Sequence, residues 1–169
     1  MSDLILDTNV LGEFFEQYFD VSLGNRGCGT FVAGDFLSVN AAREINRIVM
    51  SFQRHDDIAA GIVVISSFAF VELFRKWDQI TNGRIDLNRL RGFLKQPPVW
   101  VNIAPLDESL APFFIQVPIS VFTDNGFKSI EWTDCVHVAT ALARGDGHVI
   151  ATTDSIMRQM NLTSRVKCI

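Results

Sequence analysis

Four acidic residues stand beside predicted buried strands or early in predicted helices. Asp7 directly follows a short apolar run and Asp154 lies just past another, while Glu72 and Asp134 lie among apolar neighbours. Burying an isolated carboxylate is costly, and carboxylates that meet at one sheet edge repel one another unless protons or a cation neutralise them. Oxygen ligands without a Cys or His cluster suit Mg²⁺ or Mn²⁺. Such ions activate water and stabilise phosphate charge, so phosphodiester cleavage is the chemistry these residues would serve.

Several of these residues also have a purely structural explanation. Asp7 taken alone fits a turn or a helix cap, because Asp is a common turn former. Glu131 lies three residues before Asp134 and could be a further ligand, a supporting group, or an acid favoured by the helix macrodipole. His137 could act in acid–base catalysis, but a lone His on an apolar helix is more often packed and hydrogen-bonded. The sequence leaves these alternatives open.

Alternating strands and helices must position the acids. Short apolar runs bounded by turn formers predict buried strands, and segments with helical apolar spacing separate them. Strands are predicted over 4–6, 62–65, 99–103, 148–152 and 166–169. Helices are predicted over 10–18, 35–54, 68–77, 86–94, 107–117, 131–143 and 154–160, with a glycine-bearing loop over 22–34. This order predicts an α/β fold with one parallel sheet and helices on both faces.

Composition limits the class of protein. The 169 residues fit a single domain over 1–169, and 48% of them are hydrophobic, which allows a sizeable core. The formal net charge of -4 argues against non-specific nucleic-acid binding through a broad basic face. The cysteines (Cys28, Cys135 and Cys168) lack metal-type spacing and favour a reducing compartment. The first residues resemble no signal peptide and no apolar run is long enough to span a bilayer, so we expect a cytoplasmic protein without a membrane segment.

Four motifs, taken in chain order, resemble the PIN domain, a metal-dependent ribonuclease fold. They are LDTNVL at 6–11, SSFAFVEL at 66–73, DCVHVATAL at 134–142 and IATTD at 150–154. Each motif alone has low specificity, but all four occur in family order across nearly the whole chain. The most similar branch is the VapC-like toxins of bacterial and archaeal toxin–antitoxin pairs.

The resemblance implies a three-layer fold with strand order 3-2-1-4-5, in which Asp7 and Asp154 meet at the topological switch point. It implies an endoribonuclease that uses Mg²⁺ or Mn²⁺ to hydrolyse RNA phosphodiester bonds. It assigns the same four acids to catalysis and metal binding: Asp7, Glu72, Asp134 and Asp154. Thr8 and Thr152 match positions that support the acids in the family. The toxin branch further implies an antitoxin partner and a homodimer.

Two other functions compete with the nuclease. A non-catalytic PIN-fold module that binds RNA or protein would have no physical reason to keep all four acids. A phosphatase-like protein using Asp7 as a nucleophile would be expected to carry an Asp-x-Asp pair, which is absent here. Candidate phosphate contacts are Arg43, Arg47, Arg75, Lys76 and Arg91. Aromatic residues that could line a groove for a partner's helix, but that helical spacing assigns to the core, are Phe14, Phe15, Phe19, Phe70 and Phe74.

Overall fold

The computed structural model describes residues 2–20, 30–54, 61–76, 86–159 and 166–169. Most of the predicted loop at 22–34 lies outside these residues, as do Cys28 and the predicted helix end at 77. A parallel sheet contains β1 (Leu4–Leu6), β2 (Val63–Ser66), β3 (Val101–Ala104), β6 (His148–Ala151) and β7 (Val166–Cys168). A separate antiparallel hairpin contains β4 (Ser120–Thr123) and β5 (Gly126–Ser129).

Helices lie between most of the strands, so the predicted α/β class is confirmed. They are α1 (Thr8–Phe19), α2 (Val39–Gln53), α3 (Ser67–Arg75), α4 (Leu87–Lys95), α5 (Ala111–Phe114), α6 (Trp132–Ala143) and α7 (Ser155–Gln159). The single helix predicted over 107–117 is wrong. It is divided into a 3-10 turn and the short α5, because Pro112 cannot donate a backbone hydrogen bond and its ring clashes with the preceding turn. Of the helices in the described ranges, none has the length and apolar composition needed to cross a membrane.

The order of the parallel strands brings the first and last thirds of the chain together. That order is β3-β2-β1-β6-β7, with every neighbouring pair parallel. The predicted order 3-2-1-4-5 differs from this in the numbers of its last two strands. The hairpin strands β4 and β5, which lie between β3 and β6 in the chain, were not predicted from the sequence. Leu6, the last residue of β1, pairs with Ile65 on one side and Ala151 on the other. The carboxyl ends of β1 and β6 therefore lie side by side.

A two-residue turn closes the unpredicted hairpin. Thr123 pairs with Gly126 across the strands, which leaves Asp124 and Asn125 as the turn. The Thr123 hydroxyl donates to the Gly126 carbonyl at 2.8 Å and accepts from the Asn125 N–H at 3.2 Å. Gly126 has a φ of +91°, a conformation that favours glycine. Turn formers that end in a Gly of positive φ, as Asp124-Asn125-Gly126 do, are a typical hairpin pattern, so this hairpin could have been predicted.

Both faces of the sheet are buried. Leu4 and Leu6 belong to a core cluster shared with α1, α2, α3 and α4, whereas Ile5 belongs to a second cluster shared with α6 and α7. This division follows from the alternating direction of side chains along a strand. Helices therefore pack on both faces of β1, and strands flank it on both edges, so the position of its carboxyl end is well defined.

The aromatic residues on α1 and α3 form part of the core rather than a groove. Phe14, Phe15 and Phe70 are buried, and Phe19 packs against the same cluster. Phe74 is exposed. The core interpretation is thus confirmed for four of the five residues, and these four are covered within the chain itself.

Candidate active site

The four predicted acids line one cavity of about 140 Å³ at the carboxyl end of the sheet. Asp7 follows β1, Asp154 lies just past β6, Glu72 lies on α3 and Asp134 lies in the first turn of α6. The remaining lining residues are Thr8, Asn9, Lys76, Glu131, Thr133 and His137. Four separate elements therefore place these four acids around one cavity.

Asp7 both caps a helix and lines the cavity. Its backbone N–H donates to the Ala151 carbonyl at 3.1 Å, which anchors it to β6. Its Oδ1 accepts the Val10 N–H at 2.9 Å, so Asp7 is the N-cap of α1. Its other carboxylate oxygen accepts no hydrogen bond from a described residue. Asp7 can therefore cap α1 with one oxygen and face the cavity with the other.

Asp154 is fixed in a similar way at the start of α7. Its Oδ1 accepts the N–H groups of Ile156 at 2.6 Å and Met157 at 2.8 Å. Its own N–H donates to the hydroxyl of the buried Thr152 at 3.0 Å. Thr152, one of the two small polar residues that the resemblance assigns to support of the site, therefore contacts Asp154. One oxygen of each Asp is held by backbone N–H groups, which orients the second oxygen.

Glu72 is oriented by three side chains. Its Oε2 accepts the Thr8 hydroxyl at 2.5 Å and lies 3.8 Å from His137 Nε2. Its Oε1 lies 3.8 Å from Lys76 Nζ. Burial alone would raise the pKa of Glu72, but His137, Thr8 and Lys76 together outweigh burial and lower the pKa. These contacts favour the ionised form of Glu72, and Thr8 is one of the side chains that orient it.

Asp134 experiences the opposite balance. Burial and, after it, the nearby charge of Asp154 are the main causes that raise the pKa of Asp134 from 3.8 to about 6. His137 opposes this rise, whereas Asp7 and Glu131 add to it. A half-buried carboxyl group that resists ionisation for these reasons lies in a negative electrostatic field.

The same carboxylates also affect the pKa of Cys168, which lies on the neighbouring strand β7. The pKa of its thiol is raised to about 11, mainly by burial, while Arg158 opposes this rise. Asp7, Asp154 and Asp134 raise it further, because a thiolate would add a negative charge beside these carboxylates. Asp7 and Asp154 thus contribute to the raised pKa of two different groups, the Asp134 carboxyl and the Cys168 thiol.

Glu131 and His137 also line the cavity. Glu131 is the exposed N-cap residue of α6 and makes no side-chain capping hydrogen bond. The macrodipole explanation and a role in the cavity both remain compatible with this position. His137 is buried, as expected, but its Nδ1 finds no hydrogen-bond partner among the described residues. The predicted packing is confirmed, whereas the predicted hydrogen bonding is incomplete.

One of the proposed phosphate contacts lies at this cavity. Lys76 lines it and is well exposed at its end. Arg43 and Arg47 instead border a groove along α2, and the Arg47 guanidinium donates to Glu44 at 2.5 Å. This contact raises the pKa of Arg47. A phosphate in the cavity would therefore meet Lys76 first.

The lining residues fit a hard divalent cation in charge and in donor type. Five carboxylates line the cavity beside the ammonium group of Lys76, and carboxylate oxygens are preferred ligands of Mg²⁺. Within the described ranges, however, no three His, Cys, Asp or Glu side chains form a group that could hold a metal ion. The carboxylates would therefore have to move towards one another before three of them could share one cation.

Comparison of the chain with protein-family models, with curated proteins and with solved structures found no match. The resemblance to PIN domains therefore depends on the four motifs, and its implications remain proposals. The geometry of the cavity depends on no such comparison. It makes the acidic cavity the candidate site on physical grounds.

Replacing Asp134 with Asn should stabilise the folded protein at about pH 8 but not at about pH 4. Because folding raises the pKa of Asp134 from 3.8 to about 6, ionisation of this group opposes folding. The cost is absent below the lower value, grows between the two and is complete above the upper one. Solvent screening limits it to about 1–2 kcal/mol.

Thermal unfolding at both pH values measures this difference. Glu131→Gln is the matched control, because Glu131 is exposed and lines the same cavity. It should change the melting temperature less than Asp134→Asn does. Equal stabilisation by Asp134→Asn at both pH values would contradict the raised pKa.

Proposed function

We propose that this chain is a Mg²⁺- or Mn²⁺-dependent endoribonuclease with a three-layer PIN-like fold, which hydrolyses RNA phosphodiester bonds. The observation that supports this most directly is the single acidic cavity. Four elements place carboxylates there, and the pKa of Asp134 is raised to about 6. Such a cavity favours a cation over any other small ligand, and its donors are of the type that bind Mg²⁺.

Asp7, Glu72, Asp134 and Asp154 would hold the cation. When bound, a divalent cation lowers the pKa of water and neutralises phosphate charge. The backbone N–H groups that bind one oxygen of Asp7 and of Asp154 aim the other oxygen of each. Thr8 and His137 orient Glu72 from two sides. Lys76 at the rim would attract a backbone phosphate.

The motifs also support a narrower proposal, that the protein is the toxin of a toxin–antitoxin pair. An antitoxin partner, a homodimer and a cytoplasmic location stay predictions from the sequence. The alternative function is a PIN-fold module that binds RNA or protein without catalysis. This module would have the same fold but no catalytic activity, so an assay of RNA cleavage distinguishes it from the nuclease.

The deciding experiment incubates purified protein with total cellular RNA in Mg²⁺, in Mn²⁺ or in EDTA. Cleavage with either metal, absent in EDTA, is the expected result. Products should carry 5′-phosphate and 3′-hydroxyl ends, because the 3′-oxygen leaves in this reaction. Metal-independent ribonucleases that use the 2′-hydroxyl leave cyclic phosphate ends. Products with cyclic phosphate ends would therefore identify a contaminating ribonuclease. RNA binding without cleavage would favour the non-catalytic module.

A further inference from the structure

One large aromatic ring stands exposed beside the acidic cavity. Trp132 is the first residue of α6 and is 64% exposed, although tryptophan is highly buried on average. Its chain neighbours Glu131 and Thr133 both line the cavity, and Asp134 follows in the same helical turn. Trp132 therefore lies in the chain between two residues of the cavity lining.

A buried ring supports Trp132 from inside the protein. The ring centroids of Trp132 and Phe68 are 5.1 Å apart with an interplanar angle of 61°, an edge-to-face contact. Phe68 is buried at the start of α3, and its ring centroid lies 6.4 Å from that of His137. The three rings lead from the surface to the cavity wall. Trp132 thus has a fixed inner contact and an open outer surface.

The charge of the protein indicates what this ring would contact. A net charge of -4 argues against a broad basic face, the feature that supplies most non-specific affinity for nucleic acids. Lys76 at the rim is the cation among the lining residues, so uncharged contacts beside the cavity would add to the affinity for RNA. Stacking of a base on an aromatic ring is such a contact, because every base has a π-face.

We propose that Trp132 stacks on one base of single-stranded RNA and positions a neighbouring phosphate at the cavity. This proposal rests on the proposed ribonuclease function. Bases inside a duplex are already stacked on one another and cannot stack on a side chain. Trp132 is therefore a positioning residue that gives the enzyme a preference for unpaired RNA.

The first test measures binding without cleavage. The Asp7→Asn protein in EDTA is titrated into a fluorescently labelled oligouridylate, and anisotropy reports the affinity. Adding Trp132→Ala should weaken binding about tenfold. Trp132→Phe, which keeps a smaller π-face, should weaken it about two- to threefold, whereas Trp132→Leu should resemble Trp132→Ala. Phe36→Ala, at an exposed aromatic residue before α2, is the control and should bind like its parent.

Equal affinity of the Trp132→Ala protein and its parent would overturn the proposal. So would equal affinity of the leucine and phenylalanine variants, because this would indicate simple apolar contact. A duplex of the same RNA should bind weakly and should not respond to any substitution at Trp132.

The second test separates this proposal from the nuclease proposal. In the active protein, Trp132→Ala should raise KM for single-stranded RNA about tenfold and change kcat much less. Cleavage with an unchanged KM would overturn the role of Trp132 and leave the nuclease intact. If the unaltered protein cleaves no RNA, the nuclease proposal fails, and the anisotropy titration still decides whether Trp132 binds bases.

Discussion

Replacing Asp7 with Asn should lower kcat/KM for metal-dependent RNA cleavage by about 10³-fold, close to complete loss. Asn keeps the size of the side chain and can still accept the Val10 N–H, because Asn and Asp are equally good N-cap residues. The substitution therefore removes the negative charge from the cavity and leaves α1 capped. Cleavage of a defined RNA at saturating Mg²⁺, with protein purified in parallel, measures the loss.

Asp124→Asn is the matched control for this prediction. Asp124 is exposed in the β4–β5 turn and undergoes the same chemical change away from the cavity lining. This variant should cleave at the unaltered rate, and both variants should keep the unaltered circular dichroism spectrum. If folded Asp7→Asn cleaves RNA as fast as the unaltered protein does, the activity belongs to a contaminant or the site is wrongly assigned.

The part of the fold that positions Asp7 could be predicted because its pattern is local. A compact apolar run that ends in turn formers requires neither a partner nor a long-range contact to be recognised. The same argument predicted β2 and β6 to within a residue or two. The placement of Asp7 beside Asp154, however, came from the family resemblance, since nothing in the local pattern determines which strands are neighbours.

The contacts that orient the acids could not be predicted from sequence patterns. Thr8 and Glu72 are 64 residues apart and meet at 2.5 Å only because α1 and α3 pack on the same face of the sheet. A second example is the Asp3 carboxylate, which accepts from Arg144 Nε at 2.5 Å across 141 residues. Such pairs depend on side-chain directions in the folded protein, which apolar periodicity does not determine.

The detailed state of the cavity is a further limit of the sequence. The residue types predicted a cation site, and all four acids line one cavity. The distances between the acids depend on which carboxylate oxygens are bound by backbone N–H groups at helix N-termini. Asp7 and Asp154 each have one oxygen bound in this way. The same side chains therefore serve capping and charge clustering at once. A sequence pattern can predict helix capping and it can predict an acidic cluster, but it cannot predict the geometry that results when one side chain does both.

Replacing Phe14 with Ala should lower the free energy of unfolding by about 3–5 kcal/mol, the usual range for a buried Phe. Phe14 is fully buried, and its ring centroid lies between 5.1 and 6.5 Å from those of Phe15, Phe31, Phe93 and Trp100. The Tyr18 ring centroid lies 5.9 Å away as well, so removing Phe14 leaves a cavity bordered by five rings that cannot collapse easily. Domains of this size are stable by only about 5–15 kcal/mol, so the loss is a large part of the total.

Urea unfolding followed by circular dichroism measures this loss, and Phe127→Ala is the control. Phe127 is 76% exposed on β5, so its replacement should cost about 1 kcal/mol or less. Phe14 does not line the cavity, and the cap of α1 involves only Asp7 and Val10. The folded fraction of the Phe14→Ala protein should therefore cleave RNA at the unaltered rate when assayed at low temperature. A fully folded Phe14→Ala protein that has lost cleavage, as Asp7→Asn should, would contradict this separation of the core from the acidic cavity.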